Sequence, residues 1–271
     1  MPVLLVSRGT MSGGELLAEC LSRADFRCVT REDLLASVNR HGELANRVTA
    51  EIEKATQAYE KFSELRRPYK ILMRHALLEY ARQDSLVYLG YSGHLLIEGI
   101  AHFVRVRLVA PLGLRVRMTM SRLRCEEQEA QDYIRRADEE RIRWARFMYG
   151  KNIRDPELYD ICINMDRMSV PTVCSLLTQV AAEKELQPTA ESLAEYENEF
   201  LATTVLVALI SNPVTFPLEM GAVAKAGAVS LEGPYLDNSA LDTVLTTAAS
   251  VPGVTHVEYE PGYAPAFKFL A

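Results

Sequence analysis

The side chains most capable of chemistry begin at Ser7, in the run Ser7-Arg8-Gly9-Thr10-Met11-Ser12-Gly13-Gly14-Glu15. Glycines let a backbone approach an anion, hydroxyls bond to its oxygens, and Arg8 adds a positive charge. Gly9 and Gly14 have the offset of the pattern G-x-x-x-x-G-K-[ST], but Glu15 and Leu16 stand where its Lys and Ser/Thr belong. In the other register, with Gly13 as the last glycine, Gly14 and Glu15 take those places. Neither register supplies a lysine for phosphates or a hydroxyl for magnesium. Two readings stay open, a phosphate loop and a plain tight turn between a strand and a helix. Arg8 reads either as part of the cradle or as an ordinary solvated residue.

A second concentration of chemistry is the arginines between residues 111 and 150. Arg115, Arg117, Arg122, Arg124, Arg135, Arg136, Arg141, Arg143 and Arg146 sit among many carboxylates on a strongly helical stretch. Such residues form solvated helix faces laced with i,i+4 pairs. They also suit a lid that closes on phosphate oxygens through forked contacts. The five histidines form no metal-ligand cluster, and the five cysteines, Cys20, Cys28, Cys125, Cys162 and Cys174, show no paired C-x-x-C spacing. No metal site is expected, and the thiols read as reduced residues of a cytoplasmic protein.

These groups need elements to hold them. Residues 3–6 are a short apolar run that fits a buried strand, and residues 15–21 read as a helix with Leu16, Leu17, Cys20 and Leu21 on its apolar face. Further strands are expected at 26–29, 85–90, 103–110 and 159–164. Helices are expected from Thr30, over about 44–80 with a break at Arg66-Arg67-Pro68, and from Ser169 or Val170 to about 183. Strands separated by helices imply crossover connections and a parallel sheet covered by helices. After Gln187-Pro188-Thr189 the order changes. A helix whose latter half, residues 201–210, is apolar nearly all round is followed by strands at 219–225 and 228–231, a helix capped by Asn238 or Ser239, and a last strand at 253–259.

At 271 residues and 48% hydrophobic content, the chain is long enough for one large domain or for one medium and one small. The net charge of -6 argues against a general nucleic-acid binder. No apolar run is long enough to span a bilayer.

In order, Ser7-Arg8 with Ser12-Gly13-Gly14, Thr30-Arg31-Glu32, Gly90 to His94, Val106-Arg107-Leu108-Val109-Ala110-Pro111, Asp138-Glu139-Glu140-Arg141 and Asp155-Pro156 leading to Tyr159-Asp160 resemble the cytidylate kinase-like family of nucleoside monophosphate kinases. The resemblance covers roughly residues 1–183. It implies an α/β fold with a P-loop parallel sheet, helices on both faces and a helical lid. It also implies ATP with Mg2+ as donor and a pyrimidine nucleoside monophosphate as acceptor. By the same resemblance, Arg8, Ser12, Gly13 and Gly14 would hold donor phosphates, Arg31 and Tyr91 would lie at the acceptor, and Arg136 and Arg141 would be the catalytic lid arginines. The sequence departs from the family at Met11 and Glu15, where its loop often has Gly and Arg, and at Tyr91, where the family has a basic residue.

The segment from 197 to 262 resembles a BON domain, through Gly227-Ala228-Val229-Ser230-Leu231-Glu232-Gly233 and Ser250-Val251-Pro252-Gly253-Val254. BON modules are non-catalytic binding units, so a protein or membrane-associated partner is implied; a small domain that packs on the first or self-associates is the plainer reading. The expected division is 1–185 for the P-loop domain and 186–271 for a linker helix and a small α+β domain of order αββαβ. The expected function is a nucleotide-binding phosphotransferase. The alternative is an inactive regulatory protein that senses a nucleotide or anion and acts through the BON-like domain.

Overall fold

The computed structural model describes residues 2–54, 63–82 and 85–262. The described residues fall into two compact units, one holding those up to 33 and 80–188, the other those of 34–79 and from 189 onward. Sequence order shows only the crossing near Pro188; the excursion at 34–79 is visible in the fold alone.

In chain order the elements are β1 Val3–Arg8, α1 Gly14–Ser22, β2 Arg27–Thr30, α2 Arg31–Val38, α3 Glu43–Lys54, α4 Ser63–Ala81, β3 Leu86–Gly90 and β4 Phe103–Val109. There follow α5 Leu112–Leu123, α6 Glu127–Tyr149, β5 Ile161–Asn164, α7 Val170–Ala182, α8 Ala190–Ser211, β6 Gly221–Lys225, β7 Ala228–Gly233, α9 Asn238–Ala249 and β8 His256–Pro261.

The first unit is an α/β structure around a five-stranded sheet of order β2-β3-β1-β4-β5. Every pairing in it is parallel, with Leu4 opposite Val87 on one side and Val104 on the other. β1 is central because both of its faces are apolar, as parallel strands covered by helices require. Leu4, Val6, Val87, Val104 and Val106 pack with Leu17 and Leu21 of α1 and Val173 and Leu177 of α7. The chain leaves β1 for the β2 edge, returns at β3, and crosses to β4 on the opposite side. The carboxyl end of β1 is therefore the switch point of the sheet, where open α/β sheets form a crevice. α5 and α6 share a small core of Val116, Ala130 and Ile134, and Glu126 with Glu129 makes a capping box at the start of α6.

The α1 face differs from expectation in one residue: Gly14, Leu17 and Leu21 are buried, whereas Leu16 is 50% exposed. Leu16 follows Glu15 onto the open side of the helix because one residue advances the chain by about 100°.

In the second unit α4 runs unbroken through Pro68, where a break was expected. The proline lies early in the helix and forfeits one backbone bond, to the Glu64 carbonyl. The continuously buried run from Pro68 to Leu78 offsets that loss. Residues 55–62 of the expected helical stretch lie outside the described residues. α4 is joined to α8 by Tyr196, whose hydroxyl donates to the Leu78 carbonyl at 2.7 Å, by the Arg74–Glu199 ion pair at 2.8 Å, and by His75 stacked on Phe200 at 5.1 Å. The apolar half of α8 is buried as its composition requires, including Val205, Leu206, Val207, Leu209 and Ile210.

The small sheet has the order β6-β7-β8. β6 and β7 form an antiparallel hairpin, and α9 carries the chain to the parallel strand β8. Asp237 caps α9 by accepting from the Ala240 N–H at 2.8 Å, in place of the expected Asn238 or Ser239. β8 begins at His256, three residues later than expected, because Gly253 takes a left-handed turn at φ 95°.

Candidate functional site: two cavities around a glycine loop

The loop after β1 is shaped by its glycines. Gly13 has φ 86°, a left-handed conformation that turns the chain into α1. A Cβ on Gly14 would meet Arg8 Cδ at 2.3 Å, so glycine is what lets Arg8 lie across the helix start. The Ser12 N–H and hydroxyl both donate to the Gly9 carbonyl, at 3.3 and 3.0 Å, and close the loop on itself. The first helical bond runs from Leu17 N–H to the Gly13 carbonyl. The preceding N–H groups are left at the helix mouth, where an anion is favoured.

Against this helix mouth lies a cavity of about 520 Å³, lined by residues 11–16 with Arg8, Arg117, Met118, Ser121 and Arg122. Glu15 is paired there with Arg8 at 3.7 Å and with Arg122. The chain thus places its own carboxylate among the cations of the loop.

A second cavity, of about 290 Å³, includes Arg8, Gly9, Arg107, Arg115, Asp138, Arg141 and Tyr159 in its lining. Two lid helices reach the loop here. Arg115 of α5 donates from Nε to the Thr10 carbonyl at 2.6 Å and pairs with Asp138 of α6 at 2.7 Å. Asp138 in turn accepts from the Thr10 N–H at 3.4 Å. One arginine–aspartate pair therefore grips both backbone polar groups of a single loop residue. Arg141 donates to the Arg8 carbonyl at 3.5 Å and lies 5.3 Å over the Tyr91 ring. Burial and the nearby Arg8 charge lower the pKa of Arg141, but an arginine remains cationic.

Arg107 of β4 donates to the Ser7 hydroxyl at 2.9 Å, and Ser7 donates onward to the Tyr91 carbonyl at 3.1 Å. His94, 2% exposed, packs on Tyr159 at 4.5 Å. Burial, then Arg107 and Arg105, push its pKa down to about 3, so the imidazole is neutral near pH 7.

Arg8, Ser12, Gly13 and Gly14 are thus brought together in the first cavity. Arg31 lies 5.8 Å from the Tyr91 ring and 5.6 Å from that of Trp144, so the Tyr91 ring is within reach of both Arg31 and Arg141. Arg136 is placed elsewhere: it is exposed, lines neither of these cavities, and donates to the Asp132 carbonyl of its own helix at 3.3 Å. Sequence reasoning missed Arg107 and the Arg115–Asp138 grip. The signal for Arg107 was a charged residue recurring within the apolar strand segment Val104-Arg105-Val106-Arg107-Leu108. Among the described residues there is no group of His, Cys, Asp or Glu able to hold a metal, and no helix long and apolar enough to cross a membrane.

A parallel sheet with a glycine loop at its switch point, a helix mouth behind it and arginine-bearing helices in front defines a P-loop kinase-like protein. The cytidylate kinase-like family matches residues 3–167, more than half of the chain. The chain belongs to that family. No functionally curated protein matches it. Among solved structures it is similar to an uncharacterized protein from Eubacterium ventriosum, with a TM-score of 0.52, 14% identity, and coverage of 68% of this chain and 100% of that one. A shikimate kinase from Bacteroides thetaiotaomicron aligns at a TM-score of 0.39 and 15% identity, covering 66% of this chain and 97% of that one. The first of these similarities supports the fold.

Proposed function

We propose that this chain is a nucleotide-binding phosphotransferase that moves a phosphoryl group from ATP to a pyrimidine nucleoside monophosphate. The observation that carries this reading is the first cavity. It joins the open helix mouth and Arg8, Arg117 and Arg122 with the apolar side chains of Met11, Leu16 and Met118. That mixture of anion donors and apolar surface suits a nucleotide, and the volume lies in the range of small-molecule sites. The fit to phosphate is supported by the glycine cradle and by Arg8 Nε, a buried donor with no protein acceptor.

In this reading Arg8, Ser12, Gly13 and Gly14 hold the donor phosphates, and Arg31 with Tyr91 meets the acceptor. Arg141 sits where charge on the transferred group would develop. Magnesium would be carried on the nucleotide's own phosphate oxygens and would offset Glu15, the carboxylate nearest the helix mouth. Catalysis of this kind is chiefly positioning and charge neutralisation, so the arginines carry the work assigned to the protein.

The test is transfer from Mg-ATP to CMP and dCMP, read as the diphosphate product, beside nucleotide binding measured by calorimetry. Product formation that disappears in Arg141→Ala supports the reading. Binding of ATP without transfer to either acceptor overturns it.

A second reading follows from one feature, the pairing of Glu15 with Arg8 and Arg122. A loop whose cations are already neutralised suits a sensor that binds a nucleotide without turning it over. The αββαβ unit, proposed as a BON-like module, would then engage a protein or membrane-associated partner. The order α8, β6, β7, α9, β8 with one antiparallel and one parallel pairing supports that assignment. Because residues 34–79 belong to the same unit, the suitable test keeps the full chain. Nucleotide-induced change in amide exchange of β6–β8 without phosphoryl transfer would support the sensor, and unchanged exchange would count against it.

A further inference from the structure

The five free thiols are unevenly placed. Cys174 of α7 belongs to the buried core that α1 and α7 share with the large sheet, and Cys20 of α1 and Cys28 of β2 pack against that same core. Cys125 packs instead against the small core of α5 and α6, and Cys162 is exposed on β5. Within the group of three, the Cys20 and Cys174 side chains are in hydrogen-bond contact. Cys28 is engaged otherwise: its Sγ donates to the Ala18 carbonyl at 3.3 Å, and it also contacts the Ser22 side chain. Two thiols from two neighbouring helices therefore face each other, with the third turned to the backbone of α1.

The pair is asymmetric in access. Cys20 is partly exposed, so a solute as small as hydrogen peroxide meets it first, whereas Cys174 is only 5% exposed. Burial, then the contact with Cys20 and the charges of Cys20 and Cys28, pushes the Cys174 thiol up to about 12. Cys174 is therefore a protonated thiol near pH 7, and oxidation of Cys20 takes away the influence of that neighbour. The helix that carries Cys20 gains most from a cross-link. α1 has nine residues, and its N-cap, Gly13, offers no side-chain hydrogen bond. A helix this short is held by packing rather than by its own propensity, here through Leu17 and Leu21 against Val173 and Leu177 of α7.

We propose that Cys20 and Cys174 form a redox latch, in which hydrogen peroxide oxidises Cys20 and the disulfide that follows ties α1 to α7. In the first step the Cys20 thiolate attacks a peroxide oxygen. An S–O bond forms as the O–O bond breaks, and the departing hydroxide takes up the proton lost from Cys20 and leaves as water. In the second step the Cys174 sulfur attacks the Cys20 sulfur. The S–S bond forms as the S–O bond breaks, and the hydroxyl leaves with the Cys174 proton as a second water. Each sulfur gives up one electron, and the peroxide takes up both. A dithiol reductant reverses the bond by exchange. The latch fixes the helix whose first turn forms the mouth at the glycine loop, and it operates whether or not a nucleotide binds there.

The experiment treats reduced, folded, full-length protein with hydrogen peroxide, blocks the remaining thiols with an alkylating agent and maps the peptides by mass spectrometry, with no nucleotide present. A Cys20–Cys174 peptide, lighter by two hydrogens than the sum of its parts and lost on treatment with dithiothreitol, is the expected product. Amide exchange in α1 should slow by about tenfold in the oxidised protein, and its thermal midpoint should rise by about 5 °C. Cys174→Ser should stop at the Cys20 sulfenic acid, trapped by dimedone, with no rise in midpoint. Cys28→Ser and Cys125→Ser should still form the link. The wild-type map decides by itself, so a folding defect in one variant cannot hide the answer. A Cys20–Cys28 link in place of the expected one, or Cys20 left reduced while Cys162 is oxidised, overturns the pairing. A Cys20–Cys174 bond that leaves exchange in α1 unchanged overturns the latch.

Discussion

The two sides of the glycine loop treat charge in opposite ways. On the α1 side, Arg8 and Arg122 share the carboxylate of Glu15, and the three groups are partly solvent-exposed. On the β4 side, Arg107 and Arg141 have no carboxylate within ion-pair distance among the described residues, while Arg115 is engaged by Asp138 with side chains only 13% and 21% exposed. A solvated pair such as the first contributes little to stability and exchanges readily with other ions. A grip like the second is structural, since it fixes a loop peptide at both its donor and its acceptor. The unpaired cations beside it are then the ones held in place for something else. The number of arginines near a phosphate loop says less than which of them already have an anion.

The largest expected effect tests that distinction within one helix. Arg141→Ala should lower phosphoryl transfer by about a thousandfold, the scale of losing a charge-stabilising arginine. Its free energy of unfolding, from urea titration, should stay within about 1 kcal/mol of wild type. Arg136→Ala should change turnover by less than about threefold, as for a solvated surface arginine. Equal losses for the two variants would break the comparison, because the exposed residue has only its own helix as a partner.

Helical phase explains part of what was legible in advance. Arg136 and Arg141 are five residues apart, about 140° around an α-helix, so one loop cannot be faced squarely by both. Asp138, Arg141 and Ile142, spaced as neighbours on one face, all line the second cavity. The β1–loop–α1 unit was readable because its signals are local: an apolar run, then glycines, then a helical pattern. The parallel sheet followed from strands alternating with helices. What could not be read lies in long-range pairing. Arg115 meets Asp138 from another helix, and α4 meets α8 through Arg74 and Glu199 across more than a hundred residues of chain. Pro68 was misjudged for the same reason, since burial of the following turns outweighs a local rule. The second unit assembles from two stretches that no composition shift marks as belonging together.

The next effect concerns the electrostatics of the uncompensated side. His94 has its pKa lowered to about 3 in the fold, against about 6.5 for an unfolded histidine. The unfolded chain therefore takes up a proton as pH drops through 6.5 while the folded chain does not. Stability rises with pH wherever the unfolded state binds more protons, so this contribution is complete above about pH 7 and is lost as pH falls toward 3. Between pH 7 and pH 5 the loss from His94 alone amounts to about 2 kcal/mol. Urea titrations at the two pH values should show a smaller drop for His94→Phe than for wild type by about that amount. Identical drops would mean that His94 is protonated inside the fold, adding a positive charge behind Tyr159, on which it packs.

The smallest effect probes the compensated side. Glu15→Gln removes the carboxylate but keeps the size of the side chain, and so releases Arg8 and Arg122 for an incoming anion. Because all three groups are partly solvated, the gain should be modest: about three- to tenfold tighter binding of magnesium-free ADP in low salt. It should shrink as ionic strength rises and the Debye length contracts. With magnesium present the gain should be smaller again, since the cation already screens Glu15 from the phosphates. A gain that persists at high salt would mean that Glu15 is buried against its partners when ligand is absent, and the two sides of the loop would then differ in ligand access rather than in the balance of their charges.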